Sequence, residues 1–228
     1  MTPLKQIMVL LAEDHIIVRQ GLCALLNSDG HFLMVGEART GRDAVEMART
    51  LQPDVILMDI AMPVLNGLEA TRQILAANPA AKVVILSAHS DDEYIERMMA
   101  VGVVGFLEKQ TSAEILVKAI REVAAGKRFF SPSIAKRLKD SHSRPLNRDG
   151  LVKASGGRLT ARESEVLQLV AEGSQNKQVA AELGISVKTV EKHRQHLMDK
   201  LNIHDTAGLT RYAIATGIIQ CTVQLTVL

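Results

Sequence analysis

The chain has 228 residues, 47% hydrophobic and 23% charged, an ordinary globular composition with room for one or two domains. Its only cysteines, Cys23 and Cys221, exclude a disulfide framework and fit a reducing cytoplasm. No stretch approaches the roughly 18 apolar residues of a membrane span, and the early run Ile7 to Ala12 is too short for a signal segment.

The formal charge of +2 is unevenly spread, with 12 Lys and Arg against 16 Asp and Glu in residues 1–127, and 15 against 9 in residues 128–228. An acidic front half suits a cation; a basic back half suits a polyanion. Strand and helix signals alternate through the first half. Strands are predicted at Ile7–Ala12, Leu33–Ala38, Val55–Met58, Lys82–Ser87 and Gly105–Leu107. Helices are predicted at Arg19–Leu26, Gly41–Leu51, Gly67–Ala77, Glu93–Ala100 and Ala113–Ala125. Five such alternations imply an α/β fold, a parallel sheet covered on both faces by helices.

The strand ends carry the chemistry. Val55 to Met58 is an unbroken apolar run, as a doubly covered parallel strand reads, and it stops at Asp59. Taken alone, Asp59 fits a turn cap as well as it fits a reactive group. But the first strand ends in Glu13-Asp14, the fourth in Ser87, and Lys109 follows the fifth. Ligands bind at the carboxyl edge of such sheets. Three carboxylates there repel one another unless a cation joins them, and hard oxygen donors suit Mg²⁺. With charge neutralised by the metal and Lys109, a carboxylate can accept a phosphoryl group as an aspartyl phosphate.

At these residues a resemblance appears. Glu13-Asp14, Asp59 with Met62-Pro63 and Gly67, Ser87-Ala88, and Gly105-Phe106-Leu107-Glu108-Lys109 resemble the receiver domain of bacterial two-component response regulators. The resemblance implies a flavodoxin-like (CheY-like) fold with five strands in the order 2-1-3-4-5. It implies Asp59 as phosphoacceptor, Glu13, Asp14 and Asp59 as Mg²⁺ ligands, and Lys109 holding the phosphoryl group. Ser87 and Phe106 become the switch pair, a hydroxyl that turns toward the phosphate and an aromatic whose rotamer follows. Two departures stand out: Glu13 replaces the commoner Asp, and Gln110 follows Lys109 where Pro is frequent. His89, two residues past Ser87, either influences water attack on the acyl phosphate or is an exposed loop histidine.

From Arg128 to Gly157 the pattern loosens into a connector. Ser131-Pro132-Ser133 starts a short amphipathic helix to about Leu138, and Ser155-Gly-Gly follows later. Beyond it, Thr160 and Glu163 form a capping box opening a helix whose buried stripe is Val166, Leu167, Leu169 and Val170. Helices Asn176–Leu183 and Val187–Leu201, with Gly184 in the turn between them, have the spacing of a helix-turn-helix. Ala180 is small where the two nearly touch, and Val190, Leu197 and Leu201 face inward. Lys188, Thr189, Lys192 and His196 lie outward, flanked by Glu191 and Gln195, a face a major groove accepts. Asn176 and Lys177 can hold phosphates. The pair His193 and His196 lacks a carboxylate or thiol at ligand spacing and does not read as a metal site.

Thr189-Val-Glu-Lys-His-Arg and Lys200-Leu-Asn-Ile resemble the LuxR-type four-helix (LuxR/GerE-type) DNA-binding domain. The resemblance implies pairing through the helix Thr206–Thr216, with Leu209, Tyr212 and Ala213 as contacts. The expected organisation is a receiver over 1–128, a linker over 129–157, the LuxR-type domain over 158–220 and a tail over 221–228. Together these read as a NarL/FixJ-class response regulator. It would take its phosphoryl group from a histidine kinase or a small acyl phosphate, bind double-stranded promoter DNA as a homodimer, and catalyse only its own phosphotransfer and dephosphorylation. Two rivals remain. An aspartyl-phosphate phosphotransferase wants a second Asp two residues after Asp59, where Ala61 stands. A ligand-sensing LuxR regulator wants an apolar pocket, which 3% aromatic residues and strand-end acids support poorly.

Overall fold

The structure, a computed structural model, describes residues 6–88, 92–143 and 159–219. His89, residues 144–157 of the connector and the tail with Cys221 lie outside the described residues. The chain divides into two compact units, residues 1–147 and 148–228.

The first unit is a parallel sheet ordered β2-β1-β3-β4-β5-β6, from β1 (Ile7–Ala12), β2 (Phe32–Ala38), β3 (Val55–Asp59), β4 (Val83–Ser87), β5 (Gly105–Glu108) and β6 (Phe129–Phe130). Between them run α1 (Ile16–Ser28), α2 (Gly41–Leu51), α3 (Gly67–Ala77), α4 (Asp92–Val101) and α5 (Ala113–Ala124), with α6 (Pro132–Ser143) after β6. The unbroken apolar runs serve two cores. Leu10, Ala12, Ile56, Met58 and Ile85 pack on the side of α2, α3 and α4, while Val9, Leu11, Val55, Leu57 and Leu86 pack on the side of α1 and α5. Side chains alternate across each strand, so neither face can be polar.

Two expectations need correction. The sheet has six strands, not five, because Phe129-Phe130 pairs parallel with Gly105-Phe106. The Ser131 N–H donates to the Phe106 carbonyl (3.0 Å), and Ile134 of α6 is fully buried in the same core as Phe106. Helix α1 begins three residues before the predicted start. Its first residues, Ile16 and Ile17, are 61% and 85% exposed, so apolar spacing could not mark them.

The loop from β3 to α3 is held tightly. The Gly41 N–H donates to the Leu65 carbonyl (3.0 Å), the Gly67 N–H to the Ile60 carbonyl (2.8 Å), and Asn66 caps α3 by accepting from the Glu69 N–H (2.9 Å). These anchors force Val64 to φ 70°, a left-handed conformation that a β-branched residue resists. Val64→Gly should relieve this strain and raise stability by about 1 kcal/mol, the strain removed exceeding the entropy glycine adds to the unfolded chain. A melting temperature equal to or below wild type would show that the loop holds Val64 without strain.

The second unit comprises α7 (Ala161–Ala171), α8 (Asn176–Leu183), α9 (Val187–Leu201) and α10 (Thr206–Ala215). The predicted capping box forms: the Glu163 N–H donates to Thr160 Oγ1 (3.3 Å) and the Thr160 N–H to Glu163 Oε2 (2.8 Å). Lys200 Nζ then ties α9 to that box at 2.6 Å from Glu163 Oε2. Gly184 closes α8 at φ 62°, the left-handed turn residue between the two helices. Among the described residues, no helix is long and apolar enough to cross a membrane.

Candidate functional site: an acid pocket and a helix-turn-helix

β1, β3 and β5 lie side by side or one strand apart, so their carboxyl ends converge. Glu13 and Asp59 are buried, at 0% and 2% exposure, and Asp14 is partly exposed. Lys109 Nζ stands 2.8 Å from Glu13 Oε2 and 2.8 Å from Asp59 Oδ2. The lysine is placed by its own backbone, whose N–H donates to the Ser87 carbonyl (2.8 Å). Ser87 is buried beside it at the end of β4, and the Phe106 ring is fully buried one strand away.

Burial, reinforced by the Glu13 charge, pushes the Asp59 carboxyl up to about 6, with Lys109 acting the other way. Burial also works against the Lys109 charge, but Asp59 and Glu13 outweigh it and hold the ammonium above its ordinary value. One lysine does not satisfy the site. Glu13 Oε2, Asp14 Oδ1 and Asp59 Oδ2 are buried with no donor aligned for a hydrogen bond. Lys109 Nζ donates to the other Glu13 oxygen, Oε1 (3.1 Å), and faces Glu13 Oε2 and Asp59 Oδ2 chiefly as a charge. Ligand atoms of Glu13, Asp14, His15 and Asp59 all lie within 4.8 Å of one another. Three under-satisfied carboxylates around one point fit a hard divalent cation.

Two residues of this site escaped the sequence reading. His15 Nδ1 lies 2.8 Å from Asp14 Oδ1 and 3.1 Å from Glu13 Oε1. Arg19, at 4% exposure, donates from one guanidinium nitrogen to the carbonyls of Glu13 (2.8 Å) and Asp14 (3.1 Å). It fixes the peptide planes that carry both acids. Its position two residues beyond an exposed isoleucine gave no sign that it would be buried.

In the second unit, Lys188, Glu191, Lys192, Gln195 and His196 are exposed along α9, opposite the buried Val190 and Leu197. Thr189 is half-buried and shares a hydrogen bond with Ser186 Oγ (2.8 Å) at the start of α9. Gln195 donates to Asp199 (2.8 Å). Lys177 is exposed, whereas the half-buried Asn176 accepts from Arg194 (2.9 Å), which also reaches Thr206 Oγ1 (3.1 Å). Arg194, not singled out from sequence, thus joins the starts of α8 and α10 to the middle of α9.

The expected pairing residues need correction. Leu209 and Ala213 are both 0% exposed, sealed in the unit's own core where α10 packs on α7. Their apolar spacing reports that core. Tyr212 is half-buried, and the outward face of α10 carries Arg211 and Ile214, the latter 38% exposed.

A parallel α/β unit with an acid-lysine pocket, followed by a helix-turn-helix unit, defines a phosphorylation-type signalling regulator coupled to a DNA-binding module. Residues 9–121 match the response regulator receiver domain family, and residues 157–213 match the bacterial regulatory proteins of the luxR family. The chain is 35% identical over 213 residues to Response regulator GacA of Pseudomonas aeruginosa, covering 93% of this chain and 98% of that protein. It is 34% identical over 210 residues to Response regulator UvrY of Escherichia coli, covering 92% and 94%. Among solved structures, that of two RcsB dimers bound to two parallel DNAs is 25% identical with a TM-score of 0.55, covering 91% of this chain and 98% of that one. The chain belongs to the two-component response regulators with a LuxR-type DNA-binding domain, and is a transcriptional regulator.

Proposed function

We propose that Asp59 accepts a phosphoryl group from the phosphohistidine of a sensor histidine kinase, and that this controls sequence-specific binding of promoter DNA. The observation that carries the proposal is Asp59, buried yet held 2.8 Å from Lys109 beside two further carboxylates. An Asp59 carboxylate oxygen forms the new bond to phosphorus, while the bond from phosphorus to the donor nitrogen breaks and its electron pair leaves with the imidazole. Lys109 faces the charge on the transferred group. Glu13, Asp14 and Asp59 would hold Mg²⁺, which when bound lowers the repulsion between the carboxylates and an incoming phosphate. The phosphate adds roughly −1.5 to −2 charges, and Ser87 turns to bond it, opening space for Phe106. The catalysis is confined to the protein's own phosphotransfer and dephosphorylation.

In the second unit, α9 enters the major groove with Lys188, Lys192, Gln195 and His196 toward DNA, and Lys177 meets the backbone. Two copies pair through the exposed side of α10, in the cytoplasm where the DNA lies. Incubating the full chain with acetyl phosphate and Mg²⁺ tests the proposal. A hydroxylamine-sensitive adduct should form, and footprints on genomic DNA should differ with and without the phosphodonor. An adduct-free protein would remove the phosphorylation reading and leave a DNA binder. Lys192→Ala should weaken DNA binding and reduce the salt slope by about 1, with little change in sequence preference, if its contact is to phosphate. Unchanged affinity would place a different face in the groove.

A further inference from the structure

We propose that His15 makes the acid pocket selective for first-row transition cations, by adding an imidazole nitrogen to the carboxylates of Glu13, Asp14 and Asp59. The proposal rests on the reading of those carboxylates as a cation site. Ligands bound at about 2.0–2.2 Å lie at most roughly 4.4 Å apart across a single ion. One ligand atom from each of the four residues already falls within a 4.8 Å span, so little adjustment gathers them.

His15 is the member best able to adjust. It is the N-cap residue of α1, yet its side chain makes no cap hydrogen bond, and its ring is 62% exposed. Glu13, by contrast, is sealed at 0%. A neutral imidazole can turn its lone pair inward while the carboxylates stay where β1 and β3 hold them.

Donor chemistry then decides which cations gain. Mg²⁺ prefers oxygen, keeps several waters and gains little from a nitrogen ligand. From Mn²⁺ through Co²⁺ to Cu²⁺ affinity for such a site rises along the series, falling back at Zn²⁺, which imidazole still suits. Mg²⁺ is therefore held by the carboxylates whether or not His15 is present, whereas Co²⁺ and Zn²⁺ are held by carboxylates and imidazole together. The simpler account of the geometry, a ring N–H donating to Glu13 Oε1 (3.1 Å) and nothing more, gives His15 no effect on cation ranking.

The test uses the full-length chain and its His15→Ala variant, with Mn²⁺ as a paramagnetic probe and Co²⁺ and Mg²⁺ titrated by calorimetry. Pulsed electron paramagnetic resonance of the Mn²⁺ complex should show the nitrogen coupling of a bound imidazole in wild type and none in the variant. Co²⁺ affinity should fall about tenfold or more, with Mg²⁺ affinity unchanged within about twofold. His15→Asp, which exchanges nitrogen for a hard oxygen, should shift the preference back toward Mg²⁺. If Mn²⁺ binds without nitrogen coupling, if the coupling survives in His15→Ala, or if Co²⁺ binds both proteins alike, the role of His15 is overturned and the carboxylate pocket stands. If wild type binds none of the three cations, the pocket itself falls, and the proposal with it.

Discussion

Asp59→Asn is expected to abolish phosphoryl acceptance and at the same time to stabilise the fold at neutral pH. The two effects share one cause. Folding raises the Asp59 carboxyl from 3.8 to about 6, so the native state binds a proton there more readily than the unfolded chain. Stability therefore falls as pH rises through that window, and above it the buried charge costs on the order of 3 kcal/mol. Asparagine carries no charge at any pH. Its advantage should be full at pH 7, shrink below pH 6 and vanish near pH 4. Calorimetric melting of both proteins at several pH values, without divalent cations, checks this. Equal melting temperatures at pH 7 would mean that Lys109 alone neutralises the site. Added Mg²⁺ should raise the melting temperature of wild type far more than that of the variant, because ligand binding to the native state adds to its stability.

Gly67→Ala should damage both the fold and the acid pocket, although the residue carries no side chain of its own. A methyl group at position 67 would fall on the carbonyl oxygen of Asp59, with the Ile60 Cα also within reach. The obstruction is backbone, so no side-chain rotation relieves it. Either α3 withdraws, breaking the Gly67 N–H bond to the Ile60 carbonyl, or the end of β3 moves and carries the phosphoacceptor with it. A loss of about 3 kcal/mol in stability is expected, with adduct formation from acetyl phosphate lowered at least tenfold in the protein that still folds. Wild-type levels of adduct would mean that the loop absorbs the methyl group without moving Asp59.

Much of this architecture can be read from local signals. Helices α2, α3, α8 and α9 begin and end at their predicted residues. Short polar caps mark their starts, as with Asn66 before α3 and Ser186 before α9, and Gly184 marks one end. The acids of the pocket were legible because strand ends in a parallel sheet share an edge. What stayed hidden depended on contacts distant in sequence. β6 is two residues long, and only the open edge of β5 makes it a strand. Arg19 looks like any helix-surface arginine until its guanidinium is seen against two carbonyls of the preceding loop. Leu209 and Ala213 misled for a different reason: a helix has the same apolar stripe whether it packs on its own unit or on a second copy.

β6 has a consequence for anyone who cuts the protein apart. A fragment ending near residue 127 would lose the strand that covers the outer side of β5, leaving hydrogen-bonding groups along Gly105 and Phe106 open to foreign strands. It would also lose Ile134, baring part of the core around Phe106. Such a fragment should clump or pair through that bared margin. One ending after α6 should stay monodisperse.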